Sequence, residues 1–212
     1  CGSTSTNTSY MGRNKPAMTD LHALDAYLQA HLSPHRYAHC LGTAQCAREL
    51  ALRFGADADK AYLAGMAHDM SKWMKGKEYL RYAQEAGIQP DAYQLANPGL
   101  LHAQVSAHLL QTLFGEQDED VLQAIRLHMG GAPNMRKLDA CVCLADWIEP
   151  GRDFPDVPEL RKLAERSLEL ALRQALATTI ILLLQEGRVV QPNSLDTYNA
   201  LTQMLNRKEA LV

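Results

Sequence analysis

The stretch Asp57-Ala-Asp-Lys-Ala61-Tyr-Leu-Ala-Gly-Met-Ala67-His68-Asp69-Met70-Ser71-Lys72 carries both the architecture and the chemistry of this chain. Asp57 or Asp59 stands in N-cap position, and Ala61, Leu63, Ala64, Ala67 and Met70 are small and apolar, which predicts a helix packed on several sides. His68 and Asp69 are neighbours about 100° apart around a helix axis, so both can line one pocket. Helical signals continue in both directions. Upstream, Thr19 or Asp20 can cap a helix with Leu21, Leu24, Leu28 and Leu32 on one side, and Ser33-Pro34 opens another that runs to Phe54-Gly55. Downstream, Lys77 to Glu85 is a short amphipathic piece, Asn97-Pro98 caps a helix ending near Phe114-Gly115, and Asp118 or Asp120 starts the helix of Ile125 and His128. Gly130-Gly131-Ala-Pro133 breaks the pattern. Leu138 to Ile148 then reads as a buried helix stopped by Pro150-Gly151, followed by a long helix from Glu159 to about Glu186 and a last one from Ser194 to Asn206. Strand signals are nearly absent and no boundary splits the core. The expectation is one all-α domain of roughly eight to ten helices over residues 19–212.

Composition sets the limits. A chain of 212 residues, 47% hydrophobic and 21% charged, can bury a substantial core as a globular unit. A net charge of -3 makes no general case for nucleic acid or a membrane surface, so an anionic substrate must be met by local cations. The apolar run from Ala175 to Leu184 is too short to span a bilayer and reads as a buried helix; such helices could equally serve a homodimer interface. Five cysteines, Cys1, Cys40, Cys46, Cys141 and Cys143, fit no zinc spacing and read as buried thiols of a cytoplasmic protein. Residues 1–18 are polar and without periodicity, and read as a disordered leader; a lipoprotein tether through Cys1 is the alternative.

Around His68 and Asp69 lie His39, His102, His128 and Asp146, each in a segment that reads as helix. A lone histidine or a chance His-Asp pair is more often structural than functional, and the joint occurrence is what carries weight. Asp146, in Cys143-Leu-Ala-Asp146-Trp147-Ile, would cost several kcal/mol as an unpaired carboxylate among apolar neighbours, a cost that a metal resolves. Four imidazoles and two carboxylates can hold two metal ions about 3.5–4 Å apart, a geometry used for phosphate hydrolysis. An imidazole-rich set suits iron, manganese or zinc and argues against magnesium.

The order His39, His68-Asp69, Asp146 resembles the signature of the HD-domain metal-dependent phosphohydrolases, and the intervening His102 and His128 resemble the variant that holds two metals. Five stretches look closer still to the YqeK family: Arg36-Tyr-Ala-His39-Cys-Leu-Gly42, His68-Asp-Met-Ser-Lys72, Asn97-Pro-Gly-Leu-Leu-His102, Ala124-Ile-Arg-Leu-His128 and Ala145-Asp-Trp-Ile-Glu-Pro-Gly-Arg152. The resemblance covers about residues 20 to 200. It implies a symmetrical diadenosine tetraphosphatase yielding two ADP, with iron as the metal. Water activated at the dinuclear site would attack a phosphorus, Asp69 would bridge the ions and His68 would be a terminal ligand. Lys72, as a catalytic cation, and Arg126 and Arg152 would meet phosphate. The chain departs from that family where Met129-Gly130 follows His128 in place of two threonines, and where His102-Ala-Gln-Val replaces His-Gly-Pro-Val; both bear on substrate preference. Rival readings are a nucleotidase or deoxynucleotide phosphohydrolase of the same superfamily and a non-catalytic nucleotide-binding regulator. His35 reads as surface, and Trp73 and Tyr79 as core or as aromatics able to stack on a base.

Overall fold

The computed structural model describes residues 19–210. Among the described residues there are eleven α-helices, a single 3-10 turn and no strand, so the all-α expectation holds with one helix more than its upper count. The part of the reading that concerns Cys1 and the leader lies outside the described residues.

Local sequence sets the first helices as expected. Asp20 caps α1 (Leu21–His31) by accepting from the backbone N–H groups of His22 and Ala23. Ser33 caps α2 (Pro34–Phe54), which Gly55 closes in the left-handed region at φ 73°. Asp57 caps α3 (Ala58–Ala67), accepting from the N–H groups of Asp59 and Lys60. α2 and α3 touch backbone to backbone: a Cβ on Gly65 would lie 2.7 Å from the Ala44 Cα. That approach needs Ala44, Ala47, Ala61, Ala64 and Gly65 to be small, which explains a helix so poor in large side chains.

α4 (Gly76–Glu85), the single-turn α5 (Ala92–Ala96) and a 3-10 turn (Pro98–Leu101) lead into α6 (His102–Phe114). The Asn97 side chain caps neither the turn nor α6, so the expected helix starts later than Asn97-Pro98 implies. α7 (Glu119–Leu127) is capped by Asp118. α8 (Lys137–Ile148) runs through the interior, with every residue from Leu138 to Ala145 buried, and packs on α2, α3, α7 and α10.

The expected long helix over 159–186 is instead two, α9 (Val157–Arg166) and α10 (Leu168–Gln185). Ser167 is the cause. Its backbone is extended at φ -154° and ψ 123°, and its hydroxyl accepts from the Leu170 N–H. A serine that can satisfy a helix-start donor competes with continuation of the helix. α11 (Pro192–Glu209) closes the described chain against α10. Of the described helices α10 is the one long and apolar enough to cross a membrane by length and composition. The apolar run is thus longer than the sequence reading allowed, yet Leu168, Ala171, Leu172, Ala175 and Leu176 face the core. Ile181, Leu182 and Leu184 are exposed. Cys40, Cys141 and Cys143 are buried free thiols, and Cys46 is half-buried.

Candidate metal centre

Six residues from five helices meet at one point: His39 on α2, His68 and Asp69 after α3, His102 at the first position of α6, His128 after α7 and Asp146 on α8. All four histidines and Asp69 are at most 4% exposed. The reading of each as intra-helical needs correction for three of them. His68 and His128 are helix C-caps and Asp69 sits in the turn beyond, because α3 stops at Ala67 and α7 at Leu127. Each of these three rings bonds a backbone carbonyl in the turn just before it. His68 Nδ1 donates to the Gly65 carbonyl at 2.6 Å, His128 Nδ1 to Ile125 at 2.7 Å, and His102 Nδ1 to Gly99, in the 3-10 turn, at 2.7 Å. Each bond reaches three residues back and fixes the tautomer that leaves Nε2 as a lone pair.

His39 is held differently. Its Nδ1 donates to the Glu149 carboxylate at 3.1 Å, a pairing of imidazole and carboxylate that orients a ligand ring. Glu149 is itself 3% exposed and accepts from the Gly151 N–H at 2.6 Å. Gly42, on the facing turn of α2, makes room for it: a Cβ there would collide with Glu149 Oε2.

With the Nδ1 atoms committed, the Nε2 atoms converge in two pairs. His39 faces His68 at 3.1 Å, and His102 faces His128 at 3.1 Å. Asp69 lies between the pairs and divides its oxygens. Oδ2 is 3.9 Å from His39 and 3.6 Å from His68, while Oδ1 is 3.4 Å from His102 and 3.8 Å from His128. Asp146 Oδ1 joins the first pair, 3.0 Å from His39 and 3.8 Å from His68. Two sets have donor atoms close enough to hold an ion: His39, His68 and Asp146, and His68, Asp69 and His128.

Burial holds the His68 imidazole down at about 4 and His102 at about 3, each partly countered by Asp69. Both rings are therefore neutral near pH 7. Asp69 and Asp146 stay ionised well below the usual carboxylate range; burial opposes this, and the surrounding histidines outweigh it. Opposed imidazole lone pairs at 3.1 Å repel, and Asp69 Oδ1 is buried with no hydrogen-bond partner among the described residues. A cation relieves both costs, and four nitrogens with two carboxylates suit a first-row transition metal rather than magnesium or calcium.

Cations surround the carboxylates. Arg152 Nη2 pairs with Asp146 Oδ1 at 2.5 Å and its Nε donates to the Asp146 carbonyl at 2.7 Å. Arg36, not singled out from the sequence, pairs with Asp69 Oδ2 at 2.7 Å. Its signal was its place one turn before His39, visible only once α2 is laid beside Asp69. Lys72 is solvent-exposed at the rim. Crowding around its ammonium lowers its pKa, with Arg36 and Arg152 adding to this and Asp69 and Asp146 opposing it; its contact with water limits the effect. Arg126 is not brought to the cluster: its guanidinium engages Glu119 on its own helix. Tyr79 is core, with its hydroxyl donating to the Ser71 carbonyl, whereas Trp73 is half-buried and donates to the Tyr27 hydroxyl. His35 is exposed, as expected. A cleft of ≈ 270 Å³ lined by Cys46, Glu49, Arg53, Pro150 and Arg161 borders the Glu149–Arg152 loop and contains none of the six clustered residues.

Comparisons with known proteins agree with this geometry. The family model described as HD domain matches residues 36–151, more than half of the chain. A Bacillus subtilis protein named symmetrical bis(5'-nucleosyl)-tetraphosphatase is 43% identical over 174 residues, covering 82% of this chain and 93% of its own. One of the same name from Halalkalibacterium halodurans is 40% identical over 174 residues, covering 82% and 92%. A crystal structure from Clostridium acetobutylicum, described as a predicted HD superfamily hydrolase involved in NAD metabolism, superposes with a TM-score of 0.86 at 34% identity, covering 89% of this chain and 100% of that one. A matching family model over most of the chain, extensive identity and a shared fold converge, and the chain belongs to the HD domain family.

Proposed function

We propose that this protein is a metal-dependent hydrolase of dinucleoside polyphosphates that cleaves diadenosine tetraphosphate symmetrically into two ADP. The observation that carries the reading is the division of Asp69, whose two oxygens face two separate pairs of imidazole nitrogens. One carboxylate set between two nitrogen pairs is suited to bridging two divalent ions. In this reading His39, His68 and Asp146 would hold one ion and His102 and His128 another, with Asp69 offering an oxygen to each pair, within a unit spanning residues 19–212. Iron fits the donors, as do manganese and zinc. Two such ions supply an activated water nucleophile and polarise phosphoryl oxygens.

The chain's own residues do the rest. Arg36 and Arg152 stand beside the two carboxylates, and Lys72 stands at the rim, so three cations line the approach for a polyphosphate. The two guanidiniums pair with Asp69 and Asp146, and their planar forks would suit bidentate contacts to phosphate oxygens. The Gly130-Gly131 turn beside His128 carries no hydroxyl, and both glycines have positive φ, 93° and 73°.

Identity with two proteins named for the symmetrical tetraphosphatase activity supports this substrate over a mononucleotide. The test is metal analysis of untreated protein beside product analysis. Two metal equivalents and ADP as sole product from the tetraphosphate support the proposal, while orthophosphate released from a mononucleotide at a higher rate favours a nucleotidase. Metal-loaded protein that binds the tetraphosphate and forms no ADP would be a binding regulator.

A further inference from the structure

We propose that Arg161 is a positioning residue for the metal centre, acting through the loop that carries Glu149 and Arg152; the inference rests on the two-ion reading above. Arg161 lies on α9 and touches none of the six clustered residues by side chain. Its guanidinium serves three backbone carbonyls of that loop: Nε donates to Ile148 at 2.9 Å, and Nη2 to Glu149 at 2.7 Å and to Arg152 at 3.3 Å. These carbonyls lie where α8 has just ended, with Glu149 leaving the helix at ψ 155°. Apart from the contacts that the Glu149 and Arg152 side chains make with the centre, the other hydrogen bonds of the loop are internal to it and to the end of α8. Arg152 N–H donates to the Glu149 carbonyl at 3.0 Å, Gly151 N–H to the Glu149 carboxylate, and Arg152 Nε to the Asp146 carbonyl.

Two side chains of the loop reach the centre. Glu149 accepts from His39, and Arg152 pairs with Asp146. His39 and Asp146 belong to the same ligand set, so the fork of Arg161 sets the frame for one of the two ions and leaves His102 and His128 untouched. α9 is a firm anchor for such a fork, since Val157 is fully buried and Leu160 is 1% exposed. A planar fork that serves three carbonyls at once cannot be copied by a lysine ammonium. Arg161 is also half-buried and borders the open cleft, so its replacement leaves no charge stranded in the core.

The test measures Mn2+ affinity of chelator-treated protein by competition with a fluorescent chelator, well below the melting temperature, for wild type, Arg161→Gln, Arg161→Lys, Glu149→Gln and the Arg161→Gln/Glu149→Gln double variant. Far-UV circular dichroism checks the fold, and the lysine variant keeps the comparison open should the glutamine variant fold poorly. Loss of an outer partner of a metal ligand costs about 10–100-fold in affinity. The expected result is a loss of about tenfold or more for the tighter ion in both Arg161 variants, with the double variant losing less than the two single losses combined. A purely structural arginine would lower the melting temperature and leave Mn2+ affinity unchanged. Wild-type affinity in both variants, or losses that simply add in the double variant, overturns the proposal. Because the readout is binding, it separates the two claims. Wild-type protein that binds Mn2+ but cleaves no tetraphosphate would defeat the substrate reading alone, whereas protein that binds no divalent ion would defeat both.

Discussion

Gly42→Ala should destabilise this protein and weaken its hold on metal, although the same exchange inside a helix ordinarily stabilises by about 1 kcal/mol. Gly42 lies in the interior of α2, and its backbone is not in the left-handed region, so the backbone accepts alanine. The added methyl meets the Glu149 side chain, colliding with Oε2 and coming within 3.2 Å of Cδ. Glu149 has nowhere to go. Oε2 accepts from the Gly151 N–H at 2.6 Å, Oε1 accepts from His39 at 3.1 Å, and the residue is 3% exposed. Overpacking of this kind costs about 1–3 kcal/mol, and a surrendered hydrogen bond to a charged group about 1.5–3 kcal/mol. Set against the propensity gain of about 1 kcal/mol, the two costs together leave a net loss of about 1.5–5 kcal/mol, or about 3–20 °C in melting temperature for a chain of this size. The larger effect is on function: His39 loses its orienting carboxylate, and metal affinity drops about 10–100-fold. Thermal melts of chelator-treated protein and Mn2+ competition read the two effects separately. An alanine variant that melts higher and binds Mn2+ as tightly as wild type refutes the claim that Glu149 is wedged between Gly42 and His39.

Further expectations test other parts of the argument. Gly65→Ala places its methyl 2.7 Å from the Ala44 Cα, where backbone rather than a flexible side chain must yield, so it should cost about 3 kcal/mol, measured by urea denaturation. His102→Ala should lower metal content from two equivalents toward one, and Asp69→Ala should abolish turnover and release metal while far-UV circular dichroism stays unchanged; full metal content in both would defeat the bridging role. Metal-free protein should lose stability as pH falls from about 6.5 toward 4. His68 and His102 have folded pKa values, about 4 and about 3, below the unfolded value of 6.5, so their contribution is complete above 6.5 and is lost as acidification charges them. A urea midpoint independent of pH across that window contradicts the neutral-ring assignment. Arg126→Ala, whose guanidinium is engaged by Glu119, should change kcat/KM less than twofold, while Arg152→Ala should raise KM at least tenfold.

The six clustered residues were legible because each is marked locally: a histidine or aspartate in an apolar setting next to a cap, a proline or a glycine break. Helix starts at Asp20, Ser33, Asp57 and Asp118 were legible for the same reason, since capping is a matter of a few neighbouring residues. What failed was of two kinds. Ser167 ends one helix and caps the next within an unbroken apolar pattern, and serine in such a run has no distinctive neighbour to announce it. Arg36 and Glu149 act on partners 33 and 110 residues away, and only packing reveals such pairs. Arg126 is near His128 in sequence, and its guanidinium engages Glu119 on its own helix.

The carbonyl bonds made by His68 and His128 have a consequence for how relatives of this chain should be compared. These rings close the ends of α3 and α7, so they serve folding whether or not any reaction occurs. A descendant that had abandoned catalysis would still gain from keeping them, and selection for a stable chain alone could preserve both histidines. Their retention is thus weak testimony to activity. Asp69 is the opposite case: its Oδ1 is buried and has no hydrogen-bond partner among the described residues, an arrangement that folding alone disfavours.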